Sequence, residues 1–294
     1  MDLICIVGPT AVGKTKLSIE IAKAFHGEII SGDAFQFYKG MDIGTAKASK
    51  NEQASIKHHL LDIRTPSESF SVVEYQSLVR KTIDHIKEKG YLPILVGGSG
   101  LYIQSVIKDY TFKGKKRKED ASYDHMTMES LQARLKDKNP KLYEVTDLSN
   151  RRRVIRAIEK KDNDLQENPK DYYDNIYIVG LYTDRKQLYE RINQRVMAMM
   201  DKGLLEESQW LYNHYKNTQA AQAIGYKEFF PYFSGERSYQ EAIQLIQRNS
   251  RRYAKRQMTW FRNKMDVHWF ESHLDDFNQT IEDVIQAIKK TQQN

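Results

Sequence analysis

The sequence predicts an α/β fold, a parallel sheet covered by helices on both faces, interrupted once by a helical insertion. Three observations carry this. Short apolar runs alternate with segments of helical spacing, and such runs are the strands of a sheet buried on both faces. The first run leads into Gly8-Pro9-Thr10-Ala11-Val12-Gly13-Lys14-Thr15, which fits G-x-x-x-x-G-K-[ST] between a strand and a helix. Past Lys113 the strand pattern stops, and it resumes after Asn175. The chain therefore divides into a P-loop core over 1–112 and 176–294 and a helical insertion over 113–175.

Each element follows from local pattern. Leu3–Val7 is short, apolar and closed by Gly8-Pro9, hence a buried strand. Residues 14–25 put Leu17, Ile21, Ala22 and Phe25 on one helical face, and Gly27 ends that helix. Residues 28–31 make a second strand and 60–63 a third. Residues 72–89 are amphipathic and stop at Gly90. Leu92–Val96 is another buried strand, followed by Gly97-Gly98-Ser99-Gly100 and a helix from Leu101. The insertion opens with the charged run 113–120. It continues with helices over 129–138, broken by Asn139-Pro140, and over 149–161. Residues 176–181 restore the buried-strand pattern. Helices follow over 186–200, 204–215 and 239–263, with a last strand at 267–270.

A chain of 294 residues, 40% of them hydrophobic, can build one large domain or a core with an inserted unit. The formal charge of +7 favours a polyanionic partner. The single cysteine, Cys5, lies inside the first apolar run. It excludes an intrachain disulfide and a multi-thiolate zinc site, and it fits a reducing compartment. The first run is too short for a signal-peptide core, and no run approaches the ~20 residues of a membrane span. A cytoplasmic protein with no membrane contact is therefore expected, and a monomer.

The P-loop motif places backbone amides, a helix N-terminus and Lys14 around a phosphate, with Thr15 able to ligate a magnesium ion. It does not say which phosphorylated molecule sits there. After the second strand, Ser31-Gly32-Asp33-Ala34-Phe35-Gln36 lies at the carboxyl end of the sheet, so Asp33 faces the same crevice. Asp33 can be a base, a magnesium-shell group or a cap. The Gln36 amide can read a base edge, and Phe35, Phe37 and Tyr38 also suit plain packing. Glycines around Ser99 permit either close ligand approach or a tight turn. Two basic clusters stand out. One is Arg151 to Arg156. The other, Arg248 to Arg262, interleaves with Tyr253, Trp260 and Phe261. Both suit phosphate contacts or a solvated helix face. Adjacent His58 and His59 point in different directions on any regular element, and no metal signature is present.

Taken together the chain resembles the tRNA dimethylallyltransferase family, bacterial type. The resemblance rests on the P-loop, on Ser31 to Tyr38, on Gly40-Met41-Asp42-Ile43-Gly44-Thr45-Ala46-Lys47 and on His58-His59-Leu60-Leu61-Asp62-Ile63. It continues through Gly97 to Tyr102, Arg152 to Glu159, Ala223 to Lys227 and Tyr253 to Arg262. The segment ending in Lys47 is absent from ordinary P-loop kinases. The resemblance implies transfer of a dimethylallyl group from dimethylallyl diphosphate to the exocyclic amine of the adenosine 3′ to the anticodon of tRNA, with Mg2+ as cofactor. It implies Asp33 as general base with Ser99 beside it. The diphosphate would lie on Gly8, Pro9, Thr10, Ala11, Val12, Gly13, Lys14 and Thr15, with Arg185 as a further ligand among the arginines of the segment reaching Arg191. For tRNA it implies Asp33, Ala34, Phe35, Gln36 and Ser99, then Arg152, Arg153, Val154, Ile155 and Arg156, and Gln222, Ala223, Ile224, Gly225, Tyr226 and Lys227. Two departures stand out: Ser99 replaces the usual Thr, keeping the hydroxyl, and the segment 160–165 after the arginine helix is short. Prenylation of free adenine nucleotides, phosphoryl transfer and non-catalytic nucleic-acid binding are the competing readings.

Overall fold

The computed structural model describes residues 1–110, 123–159 and 170–293. In chain order the first part runs β1 (Leu3–Val7), α1 (Lys14–Ala24), β2 (Gly27–Ser31), α2 (Lys50–Ser55), β3 (His58–His59), α3 (Val72–Glu88), β4 (Leu92–Val96) and α4 (Gly100–Ile107). Then come α5 (Met128–Lys138), α6 (Pro140–Val145) and α7 (Arg151–Glu159). β5 (Ile176–Tyr182), α8 (Arg185–Asp201), α9 (Leu204–Tyr215), α10 (Phe230–Phe233), α11 (Tyr239–Lys264), β6 (His268–Glu271) and α12 (Phe277–Gln293) complete the order. The six strands form one sheet in the order β3-β2-β4-β1-β5-β6, and every neighbouring pair is parallel.

β1 shows why the sheet is covered on both faces. Its alternate residues Leu3, Cys5 and Val7 join a core with Val79 and Ile83 of α3 and Ile103 and Val106 of α4. Ile4 and Ile6 point the other way, into Leu17 and Ile21 of α1 and Val284 and Ile288 of α12. All five β1 side chains are fully buried. The four aliphatic ones each contribute about 1.5–3 kcal/mol of apolar burial. The chain leaves β1 for β2 on one side and later crosses to β5 on the other. The carboxyl end of β1 is thus where the winding reverses, and open sheets of this kind bind ligands there.

Several local expectations need correction. The strand expected at 60–63 is the two-residue β3, just upstream, because Leu60 and Asp62 take left-handed φ values of 63° and 56° that break an extended run. Among the described residues, four α-helices were not anticipated: α2, α6, α10 and α12. α2 is a short exposed turn held by a Ser49–Glu52 capping box, and α12 closes one face of the core.

Two compact units result, Met1–Asp109 with Asp171–Asn294, and Tyr110–Lys170. The second has its own core, built by α5, α6 and α7 from Leu131, Leu135, Val154 and Ile158. Asn139 ends α5 and caps α6 through its side chain, with Pro140 opening the new helix. Residues 171–175 lie with the first unit rather than with the insertion: the Tyr172 amide donates to the Ile107 carbonyl, and Lys108 pairs with Asp171. The charged run 113–120 and the segment 160–165 lie outside the described residues.

Candidate active site

The P-loop follows β1 and carries three left-handed residues, Gly8 (φ 140°), Ala11 (φ 66°) and Gly13 (φ 96°), which turn the backbone around a hollow. Gly13 has no room for a side chain, because a Cβ there would run into the ring of Phe277. The loop's outward groups are held by distant residues. Ser272 donates to the Val12 carbonyl at 2.9 Å, and Arg191 Nε donates to the Ala11 carbonyl at 3.1 Å. Lys14 Nζ donates to the Pro9 carbonyl at 2.7 Å, folding its charge over the loop. Burial, and then the charge of Arg195, lower the Lys14 pKa to about 7 against the pull of Asp33.

At the end of β2, Asp33 Oδ1 accepts the Phe35 amide at 2.9 Å, so one carboxylate oxygen caps its own turn. Burial pushes the Asp33 carboxyl up, and the Phe35 amide, Lys14 and Arg195 pull it partly back. The Ser99 hydroxyl is 9% exposed and accepts the Ala34 amide at 3.2 Å; it braces the Asp33 loop from behind and is not part of the cavity wall. The Gln36 amide is engaged on both ends. Ser31 Oγ donates to its Oε1 at 2.9 Å, and its Nε2 donates to the Thr45 and Ala46 carbonyls. It shapes the loop rather than presenting a free amide. Phe37 and Tyr38 are core residues.

The segment around Ile43 is folded around an anion. Glu207 of α9 accepts the amides of Asp42, Ile43 and Gly44 at 2.9–3.0 Å and the Tyr226 hydroxyl at 2.6 Å. Lys47 donates to the Tyr38 carbonyl at 2.9 Å and pairs with Asp42 and Asp62. Tyr226 is fully buried, so its side chain serves this clamp and is withdrawn from any RNA. Ala223 and Gly225 are also buried, while Gln222 and Lys227 are exposed on the cavity wall with Ile224.

These elements enclose one cavity of about 880 Å³. Its wall combines Thr10 to Thr15, Asp33, Phe35 and Gln36, Gly44 to Ala46, Gln222 to Gly225 with Lys227, and Arg191, Arg195, Tyr253 and Gln257. Gly8, Pro9, Ala34, Ser99 and Tyr226 stand behind that wall. Arg185 is not brought to it: at the start of α8 its guanidinium lies over the Tyr189 ring, about one and a half turns from Arg191. The cations that α8 supplies are Arg191 and Arg195, four residues apart and so on one helical face. Arg195 was not anticipated, although that spacing from Arg191 was visible. In the second unit Arg152, Arg153 and Arg156 are exposed, but Val154 is fully buried in the small core and Ile155 packs against it. Arg153 pairs with Asp147 at 3.0 Å, and Arg151 donates to the Tyr123 and Met126 carbonyls.

The P-loop, Lys14, Arg191 and Arg195 thus line the same cavity as the Asp33 carboxylate, with Lys14 and Arg195 near enough to act on its charge. Such a set of groups suits a polyanion beside a group that gives up a proton. Among the described residues no cluster of three or more His, Cys, Asp or Glu side chains could cage a metal. A magnesium ion fits only as phosphate sites usually hold it, on Thr15, substrate oxygens and water.

A profile of the IPP transferase family matches residues 36–264. A tRNA dimethylallyltransferase of Bacillus pumilus is 52% identical over 92% of this chain and 89% of its own. One from Bacillus cereus is 50% identical over 90% and 88%. The crystal structure of the tRNA isopentenylpyrophosphate transferase of Bacillus halodurans superposes with a TM-score of 0.77 at 44% identity, covering 98% of this chain and 95% of that one. A eukaryotic dimethylallyltransferase acting on tRNA gives 0.83 at 26% identity, over 98% and 78%. With a P-loop and the Asp33 carboxylate lining one cavity at the reversal point of its sheet, and with these relatives along nearly its whole length, the chain belongs to the IPP transferase family, the family of the tRNA dimethylallyltransferases.

Proposed function

We propose that the protein transfers a dimethylallyl group from dimethylallyl diphosphate to the exocyclic amine of the adenosine 3′-adjacent to the anticodon in tRNA. One observation carries this reading: the P-loop, Arg191, Arg195 and Asp33 share a single cavity. The allylic C–O bond breaks, its electron pair leaves with the diphosphate, a C–N bond forms to the amine, and one amine proton passes to Asp33. The P-loop amides, Lys14, Arg191 and Arg195 take up the charge that grows on the leaving group. A magnesium ion on Thr15 would add to that neutralisation. Asp33 keeps Oδ1 on the Phe35 amide and offers its other oxygen to the amine. The raised carboxyl pKa makes it a better base than an exposed aspartate. The target base would swing out of the anticodon loop into the cavity at a cost of about a few kcal/mol.

Radiolabelled dimethylallyl diphosphate with magnesium should label unmodified tRNA and not AMP. Equal or faster labelling of AMP would replace tRNA with a free nucleotide as acceptor.

The exposed arginines of α7 would hold the tRNA backbone. Replacing Arg152 and Arg156 by Ala should weaken tRNA binding and flatten its log–log salt dependence by roughly one unit per lost phosphate contact. Filter binding across a salt series reads this, and an unchanged slope would make α7 a solvated face only.

A further inference from the structure

Gln257 of α11 is a buried amide, 5% exposed, that the reaction scheme leaves without a task. Its two ends bind backbone groups far apart in sequence. Oε1 accepts the Thr10 amide at 3.0 Å, and Nε2 donates to the Gly98 carbonyl at 3.0 Å. Gly98 must lack a side chain for this, because a Cβ would run into the Gln257 nitrogen. One turn earlier, the Tyr253 hydroxyl lies 3.5 Å from the Ser99 hydroxyl, which in turn accepts the amide of Ala34, next to Asp33. A continuous path, hydrogen-bonded except for the Gly98–Ser99 peptide link, therefore runs from the P-loop through Gln257 to the 97–100 turn and on to the Asp33 loop.

We propose that Gln257 is a positioning residue that sets the spacing between the diphosphate loop and the Asp33 loop, and so aligns the leaving group with the acceptor amine. This rests on the transferase reading above. The Thr10 amide can only donate and the Gly98 carbonyl can only accept, so the bridge needs one acceptor and one donor side by side. A primary amide supplies both, a hydrocarbon neither, and an ionised carboxylate only the acceptor. The two loops face different substrates, so loosening one against the other leaves each ligand its own contacts while spoiling their alignment. Reacting atoms must meet at ~3–3.5 Å, and a misplacement of ~1 Å costs about 10²-fold in rate.

The test is single-turnover transfer to unmodified tRNA by the wild type, Gln257→Leu and Gln257→Glu, with both substrates saturating and each affinity measured separately. Gln257→Leu should lose about 10²-fold in rate while either affinity moves within about threefold. Gln257→Glu carries a further signature. Its protonated form has a hydroxyl for Gly98 and a carbonyl for Thr10, whereas its ionised form has no donor. Its rate divided by that of the wild type should climb from about pH 8 to about pH 5.5, and the same ratio for Gln257→Leu should stay flat. If Gln257→Leu fails to fold, the Gln257→Glu series decides alone. A wild-type rate for Gln257→Leu, a loss confined to dimethylallyl diphosphate affinity, or a flat ratio for Gln257→Glu overturns the proposal. If the wild type labels no tRNA, the transferase reading falls and this role with it. If the wild type transfers and Gln257→Leu transfers equally well, only the role of Gln257 is lost.

Discussion

Asp33→Asn should lower the single-turnover transfer rate by roughly 10²–10⁴-fold while dimethylallyl diphosphate binds almost as before. The substitution suits the site because it removes one function and keeps another. Asn retains an oxygen for the Phe35 amide, so the turn that Asp33 caps survives. What disappears is the basic oxygen and its charge near Lys14 and Arg195. Calorimetry gives the diphosphate affinity and rapid quench the rate. Transfer at the wild-type rate would leave Asp33 as a turn-capping or magnesium-shell residue and move the base elsewhere.

Lys14→Ala should fail differently, with weaker diphosphate binding and transfer slower by about 10²-fold, because leaving-group charge grows toward the transition state. The depressed Lys14 pKa adds a pH signature. In the free protein burial and Arg195 hold it at about 7. A bound diphosphate favours the ammonium and raises that value. Lys14 therefore contributes its full share to binding below about pH 7. The share declines as pH rises above 7 toward the pKa of the complex, and binding in that window takes up protons. Calorimetry in buffers of different ionisation enthalpy counts those protons. The Lys14→Ala protein should lack this component, and equal uptake in both proteins would assign it to the diphosphate itself.

Much of the architecture was legible because it is local. β1 and β4 are apolar runs closed by glycines, and α9 keeps the bounds its pattern gave. What was not legible depends on partners far away. β3 is a strand only because it pairs with β2 over two residues, and no two-residue pattern has a period. α2 was marked by Ser49 and Glu52 at capping-box spacing but lacks an apolar face, so a search for periodicity passes it by. At the site, the P-loop and the Asp33 loop come from strand ends and were placed by sheet logic alone. Tyr226 and Val154 sit inside motifs that face RNA in the expectation, yet the structure sends their side chains inward, because adjacent positions on a turn or helix point in different directions. No periodicity could reveal that Gln257 meets Thr10, 247 positions away.

The braces on the P-loop also bear on how the protein is made. Ser272 meets Val12 across 260 positions, and β1 takes its second sheet neighbour only when β5 has been synthesised. At about 5–20 residues per second, the nascent chain spends many seconds with its phosphate loop exposed and one edge of β1 unpaired. During that interval the loop lacks Arg191, Gln257 and Ser272, the three side chains that fix its carbonyls and its Thr10 amide. A chain ended before residue 272 would carry the motif without the full set of side chains that brace it.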